Sequence, residues 1–246
     1  MISKPQVPKD FYSSCFAGIW LNAFLNSQES LERCFDSLKA VFEWVWYENR
    51  QVRLFDFLTF LKDHEVITAR IHLPVSGALD GLIDSGEFLD FALASGEAVT
   101  LLGKKSFALV PNGTEWNLFP IKLVSKSTVP YWRETEAEFT KFVLEIGSHI
   151  EAFDLVAKSD NAREILINLD HKIGYLEFPE NQPPRVTELL GRLFRALAIG
   201  LLAKAAAVPS ASSKKDEIFK EKVEELITRS RAFLSQLANY AYKNEL

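Results

Sequence analysis

The clearest pattern in the chain is a helix whose polar face disappears along its length, over Pro183–Pro209. At about 100° per residue, Leu189, Leu190, Leu193, Phe194, Leu197 and Leu201 fall in one broad apolar sector. Glu188, Arg192 and Arg195 fall opposite. Farther on, Ile199 and Leu202 occupy that polar sector. Such a helix starts on the surface and ends in a core. A proline pair at its start and Pro209 beyond its end mark its limits. Leu197 and Leu201 sit mid-sector and are expected to be buried. Ala196, Gly200, Ala203 and Ala207 form a stripe of small residues along it. The expected use of the stripe is close packing of another backbone; a ligand filling the space is the alternative.

Periodicity orders the rest of the chain. Residues 1–10, with Pro5 and Pro8, read as an extended lead-in. Phe16, Ile19, Trp20, Ala23 and Phe24 are spaced as a helix face over Phe11–Asn26. A second helix is predicted over Ser27–Phe42, with Glu29 and Glu32 in its first turn, where the dipole favours acids. Trp44, Trp46 and Tyr47 lie in a stretch of unassigned structure, and a third helix follows over Arg53–Lys62. At Glu65 the period changes to two: Ile67, Ala69, Ile71 and Leu73 alternate with Thr68, Arg70 and His72. That alternation predicts a strand with one buried face. A glycine-bearing loop over Pro74–Gly86 leads to a short helix ending at Gly96. Three further strands follow, over Ala98–Leu102, Phe107–Val110 and Glu115–Val124. Their short turns imply an antiparallel meander. Pro120 cannot donate to a ladder, so its strand should be an edge or bulged there.

Helical spacing returns from Arg133, over Thr135–Ala157 and Asn161–Ile173. In the last helix, Lys214–Lys243, Phe219, Val223, Leu226, Ser230, Phe233, Leu237 and Tyr240 make a coiled-coil-like seam. It is expected to pack within the chain. Helices, then a small antiparallel sheet, then a helical bundle predict an α+β fold. A single globular domain over 1–246 is expected, with a possible division into 1–130 and 131–246.

Composition narrows the function more than it names it. Hydrophobic residues make up 48% and charged residues 25% of 246, which excludes a disordered or fibrous chain. The net charge of −5, with basic and acidic residues interspersed, argues against nucleic acid and anionic membrane as partners. Cys15 and Cys34 fit no disulfide framework or zinc motif and read as buried thiols in a reducing compartment. The amino terminus lacks a signal-like apolar run. No apolar stretch reaches the roughly 20 residues a bilayer needs. A cytoplasmic protein, monomeric or weakly dimeric, is expected.

Candidate chemistry is sparse. Gly77, Gly81 and Gly86 follow a strand and precede a helix, where phosphate loops occur. Their spacing is not that of a nucleotide motif, and Asp80, Asp84 and Glu87 would repel phosphate. His64, His72, His149 and His171 share no metal-ligand spacing, and Glu145 with His149 reads as a helix pair. No G-x-S-x-G elbow occurs. No cofactor, metal or catalytic residue is expected. Arg70 and His72 should project together from the uncovered face of the first strand. With Asp80, Asp84 and Trp116 they could line a polar ligand-binding cleft. On an uncovered face, changing both Arg70 and His72 to Ala should alter stability by less than about 0.5 kcal/mol.

The segment ITARIHLPVSGALDGLIDSGEFLDFALASGEAVTLLG resembles the middle of a family of uncharacterised conserved actinobacterial proteins, as do EWNLFP and PPRVTELLGRLFRALAIGLLAKA. The resemblance implies an intracellular globular protein and carries no catalytic residue. Two functional readings follow. One is a non-enzymatic protein-binding or regulatory module using its surplus of aromatics, among them Trp44, Trp46 and Trp132 near predicted loops. The other is a small-molecule-binding protein or enzyme built on the cleft.

Overall fold

The computed structural model describes residues 13–75, 77–82, 87–113, 115–122, 131–147, 164–169, 177–206 and 214–240. The chain forms two compact units. One is built on Asp10–Val129 and takes in Glu177–Pro183 and the chain from Ser235 onward. The other is built on Pro130–Leu176 and Pro184–Leu234. The fold is α+β, as the order of periodicities predicts.

The first unit holds a mixed six-stranded sheet with strand order β2-β1-β6-β5-β4-β3. Its strands are β1 (Trp44–Tyr47), β2 (Arg50–Arg53), β3 (Val66–His72), β4 (Ala98–Gly103), β5 (Ser106–Asn112) and β6 (Glu115–Ile121). Strands β3 to β6 are the expected antiparallel meander. The unassigned tryptophan stretch extends it. Glu48 and Asn49, at φ 48° and 59°, make the tight left-handed turn that pairs β1 with β2. The resulting ribbon joins β6 through β1 in parallel, at Val45↔Trp116 and Trp46↔Asn117. That contact ends before Pro120, so β6 is locally an edge where its proline stands. Counted from the Asn112↔Glu115 pair, Phe107↔Pro120 is a non-hydrogen-bonded pair. The missing N–H therefore breaks no ladder bond.

Helix α1 (Ser13–Leu25) packs on one face of the sheet. It is not the one-sided helix its spacing suggests, because every residue from Ser13 to Phe24 is buried. Phe16 meets Phe178 edge-on, and Trp20 Nε1 donates to the Glu177 carbonyl at 3.0 Å. A Cβ on Gly18 would lie 2.3 Å from Ile71 Cγ1, so only glycine lets the helix sit this close to β3. The first turn of α1 is held by buried Glu97, whose carboxylate accepts from Ser14 N at 2.8 Å and Ser13 Oγ at 3.2 Å. A carboxylate there satisfies free amides and complements the helix dipole.

Helix α2 (Leu31–Leu38) starts later than predicted. Ser27 adopts φ 58° and closes α1: Ser27 N bonds Phe24 O and Gln28 N bonds Ala23 O. Ser30 is the N-cap, accepting from Arg33 N at 3.2 Å. Helix α3 (Leu54–Asp63) lies on the same sheet face as α1, with Phe57 against Phe42 and Phe60 against Phe107. Helix α4 (Glu87–Ser95) covers part of the opposite face. Its Phe88 and Ala92 pack with Ala98, Ala108, Val110 and Ile121.

The second unit contains α5 (Trp132–Gly147), α6 (Pro184–Ala206) and α7 (Lys214–Tyr240), whose last turns belong to the sheet unit. Phe139 and Phe142 of α5 both meet Phe233 of α7. Helices α6 and α7 run antiparallel: Gly200 faces Ile227, and Lys204 pairs with Glu224 at 2.6 Å. The predicted seam of α7 is buried at Val223, Leu226, Ser230, Phe233, Leu237 and Tyr240. On α6, Leu189, Leu190, Leu193, Phe194 and Leu197 are buried as expected, whereas Leu201 is half-buried and Leu202 is buried. The continuations of α5 to Ile150 and Phe153, and the linker after Ala206, lie outside the described residues.

Candidate functional site

The cleft expected from the sequence is only partly assembled. Arg70 and His72 share a sheet face, since alternate residues of a strand point the same way. Register carries that face across the sheet: Arg70 pairs with Thr100, Thr100 with Ala108, and Ala108 with Phe119. Trp116 is an odd step from Phe119, so it points to the opposite face. There it is 1% exposed and stacks on Phe42 at 4.7 Å between ring centroids. It is a core residue. The sequence supplies the alternation but not the register linking β3 to β6, so the two faces could not be told apart. Asp84 lies outside the described residues.

His72 is not on an uncovered surface. It is 4% exposed, and both ring nitrogens are engaged. Nδ1 lies 2.7 Å from the Asp80 carbonyl and Nε2 lies 2.9 Å from Thr100 Oγ1. A carbonyl only accepts, so Nδ1 carries the proton and Nε2 accepts from the threonine hydroxyl. Burial pushes the imidazole below its ordinary pKa; Asp80 pulls the other way and the Arg70 charge adds to the lowering. Asp80, in turn, accepts Leu73 N on Oδ2 at 2.7 Å. His72 and Asp80 thus tie β3 to the following loop, with Arg70 on the same strand face and close enough for its charge to act on His72.

The loop glycines serve the same tie. Gly77, Asp80 and Gly81 all have positive φ, at 86°, 50° and 80°. A Cβ on either glycine would meet nothing within 4 Å of the protein, so among protein atoms it is the positive φ, not a close approach, that favours glycine. Among the described residues, no group of His, Cys, Asp or Glu is placed to hold a metal ion. His64 stacks on Phe60, and its Nδ1 faces the Phe60 carbonyl at 2.9 Å. Glu145 lies 3.9 Å from Lys141; His149 and His171 are outside the described residues.

A different surface emerges on the β1–β2 ribbon. Trp44 and Trp46 alternate with buried Val45, so both indoles share one face. Their cross-strand partners Arg53 and Gln51 share it too. Trp46 is 37% exposed, yet fixed: its Nε1 donates to Glu115 Oε2, and Gln51 Nε2 donates to Glu115 Oε1 at 2.7 Å. The Arg53 guanidinium lies 5.6 Å from the Trp44 ring centroid. Asn117 continues the face on β6. Within the sheet unit, α1 and α3 lie on the other face, and α4 packs on Ala98, Ala108, Val110 and Ile121. Trp132 belongs to the helical unit, half-buried beside Arg133.

Residues 14–131 match the family described as Rv1486c-like protein, N-terminal domain. The matched segment covers the strands and helices of the sheet unit from α1 to β6. No curated protein and no solved structure matches the chain. Among the described residues, no helix is long and apolar enough to cross a membrane.

Proposed function

We propose that the chain is a cytoplasmic, non-enzymatic protein-binding or regulatory module whose partner docks on the Trp44–Trp46 face. The observation that carries this reading is the pair of indoles on one face of the β1–β2 ribbon, Trp46 partly exposed and held by Glu115, Trp44 beside the Arg53 guanidinium. Trp and Arg dominate binding hot spots, and a side chain already held in place loses little entropy on docking. Glu115 is spent on Trp46 and Gln51, while Arg53 is exposed on the same face. The surface therefore suits an extended partner segment with carboxylate and carbonyl acceptors beside aliphatic side chains. Buried free thiols at Cys15 and Cys34 support a reducing compartment. Kinship with an uncharacterised actinobacterial family, and a monomeric or weakly dimeric state, are parts of the same proposal.

The alternative cleft at Arg70, His72, Asp80, Asp84 and Trp116 has less support, since His72 and Trp116 are buried on opposite faces. The test is quantitative binding of a co-purified partner, itself purified, to wild type and to Trp44→Ala/Trp46→Ala. Loss of two hot-spot side chains should weaken binding by at least about 30-fold, at roughly 1 kcal/mol or more each. The melting temperature should hold to within a few degrees. Equal binding by a folded double variant would remove the proposal.

A further inference from the structure

A groove of about 210 Å³ opens within the helical unit, between α5, α6 and α7. Val143, Ala196, Ile199 and Leu226 form its walls, over Phe139. Arg192 and Arg195 stand at its rim, and among the described residues no acidic side chain lines it.

The small-residue stripe of α6 explains the opening. At Gly200 the stripe does what close packing requires: a Cβ there would lie 2.8 Å from Ile227 Cγ1. One turn earlier, Ala196 is half-buried beside half-buried Val143 and Ile199, where the groove opens. Apolar walls left without partner atoms forfeit dispersion contacts and expose hydrocarbon to water. An apolar occupant recovers both. Its charge is indicated by the rim. Arg192 and Arg195 are neighbours on the helix surface. Arg192 lies 3.5 Å from Glu136 and 5.6 Å from the Phe139 ring centroid. Those contacts use a fraction of the five donors on a guanidinium.

We infer that this groove binds an amphipathic monocarboxylate, its hydrocarbon chain on Ala196 and Leu226 and its carboxylate on Arg192 and Arg195. A docked helix is the poorer fit. Its anchors span two turns, about 10 Å. This volume is smaller than the usual range of roughly 300–1,000 Å³ for drug-sized ligands.

The probe is octanoate, titrated calorimetrically into the full chain beside octan-1-ol and octylammonium. Octanoate should bind saturably at one site. Octanol, lacking the charge-assisted bonds, should bind about tenfold more weakly or worse, and octylammonium should not bind. Ala196→Leu fills the groove and should abolish octanoate binding; should it fail to fold, Val143→Phe tests the same space. Arg192→Gln/Arg195→Gln should reduce octanoate to the level of octanol and leave octanol unchanged. No saturable octanoate binding would overturn the inference. So would undiminished binding by a folded groove-filling variant, or equal affinity for octylammonium. Groove-dependent binding of an acidic amphipathic peptide without octanoate binding, or self-association abolished by Ala196→Leu, would assign the groove to a protein and overturn it equally.

Discussion

His72 sits where covering the second face of β3 turns a polar residue into an interior one. Deleting its ring would leave the Thr100 hydroxyl and the Asp80 carbonyl without their partner. We expect His72→Ala to cost about 1–3 kcal/mol in urea unfolding, against the near-zero cost that an uncovered strand face implies. The depressed pKa also sets a direction with pH. As acid is added, the unfolded chain takes up the proton first, starting near its ordinary value of about 6.5. The His72 contribution is therefore complete above that pH and is lost as pH falls toward the lower native value. The urea midpoint should drop between pH 7 and 5, and His72→Gln should flatten that drop. An unchanged slope would mean that the imidazole stays solvated. Cys34 makes a parallel case. Burial pushes its thiol up to about 12, and Cys15 is likewise buried, on α1. Both should react with thiol reagents only on unfolding, two labels per chain. Rapid labelling of native protein would contradict their burial.

Elements show why some structure was legible and some was not. Alternation in β3 and the turn residues around Pro111–Gly113 identify the meander without knowledge of neighbours. The β1–β2 hairpin escaped because its turn is Glu48-Asn49, without the Asn-Gly or Asp-Gly pair that marks left-handed turns. Its Trp-Val-Trp-Tyr run is also bulky on both faces, which hides the alternation. Helix α1 was placed, but its all-round burial was not, because a buried helix and a one-sided helix share the same spacing over three turns. Gly18 tests that packing. In an exposed helix Gly→Ala gains about 1 kcal/mol. Here the new methyl meets Ile71, so Gly18→Ala should instead destabilise by about 1–3 kcal/mol. A stabilised variant would mean that α1 and β3 are not in contact at this point.

At the scale of the whole molecule, the helical unit follows from periodicity most directly, because its seams are long and repeat without interruption. Leu197→Ala should cost about 2–5 kcal/mol and half-buried Leu201→Ala distinctly less. Equal losses at both would mean that the buried sector is turned. The candidate site was the least legible part, since it depends on register between strands far apart in the chain.

The two edges of the sheet are finished differently. Edge strand β2 is short and carries Arg50, Gln51 and Arg53, which discourages pairing. Edge strand β3 is closed by side chains. Asn22 accepts from Ala69 N and donates to Ala69 O, both at 2.7 Å. Asn239 does the same for Ile71 at 2.8 and 2.7 Å, helped by Ser235. Asp80 takes Leu73 N. Two of these closures are made as the strand is made, but Asn239 follows Ile71 by 168 residues. At about 5–20 residues per second on the ribosome, the nascent strand waits on the order of 10–30 s with that peptide group uncovered. Until then that stretch of the β3 edge is open to pairing with another chain. Chains halted before Ser235 should pair with one another and aggregate.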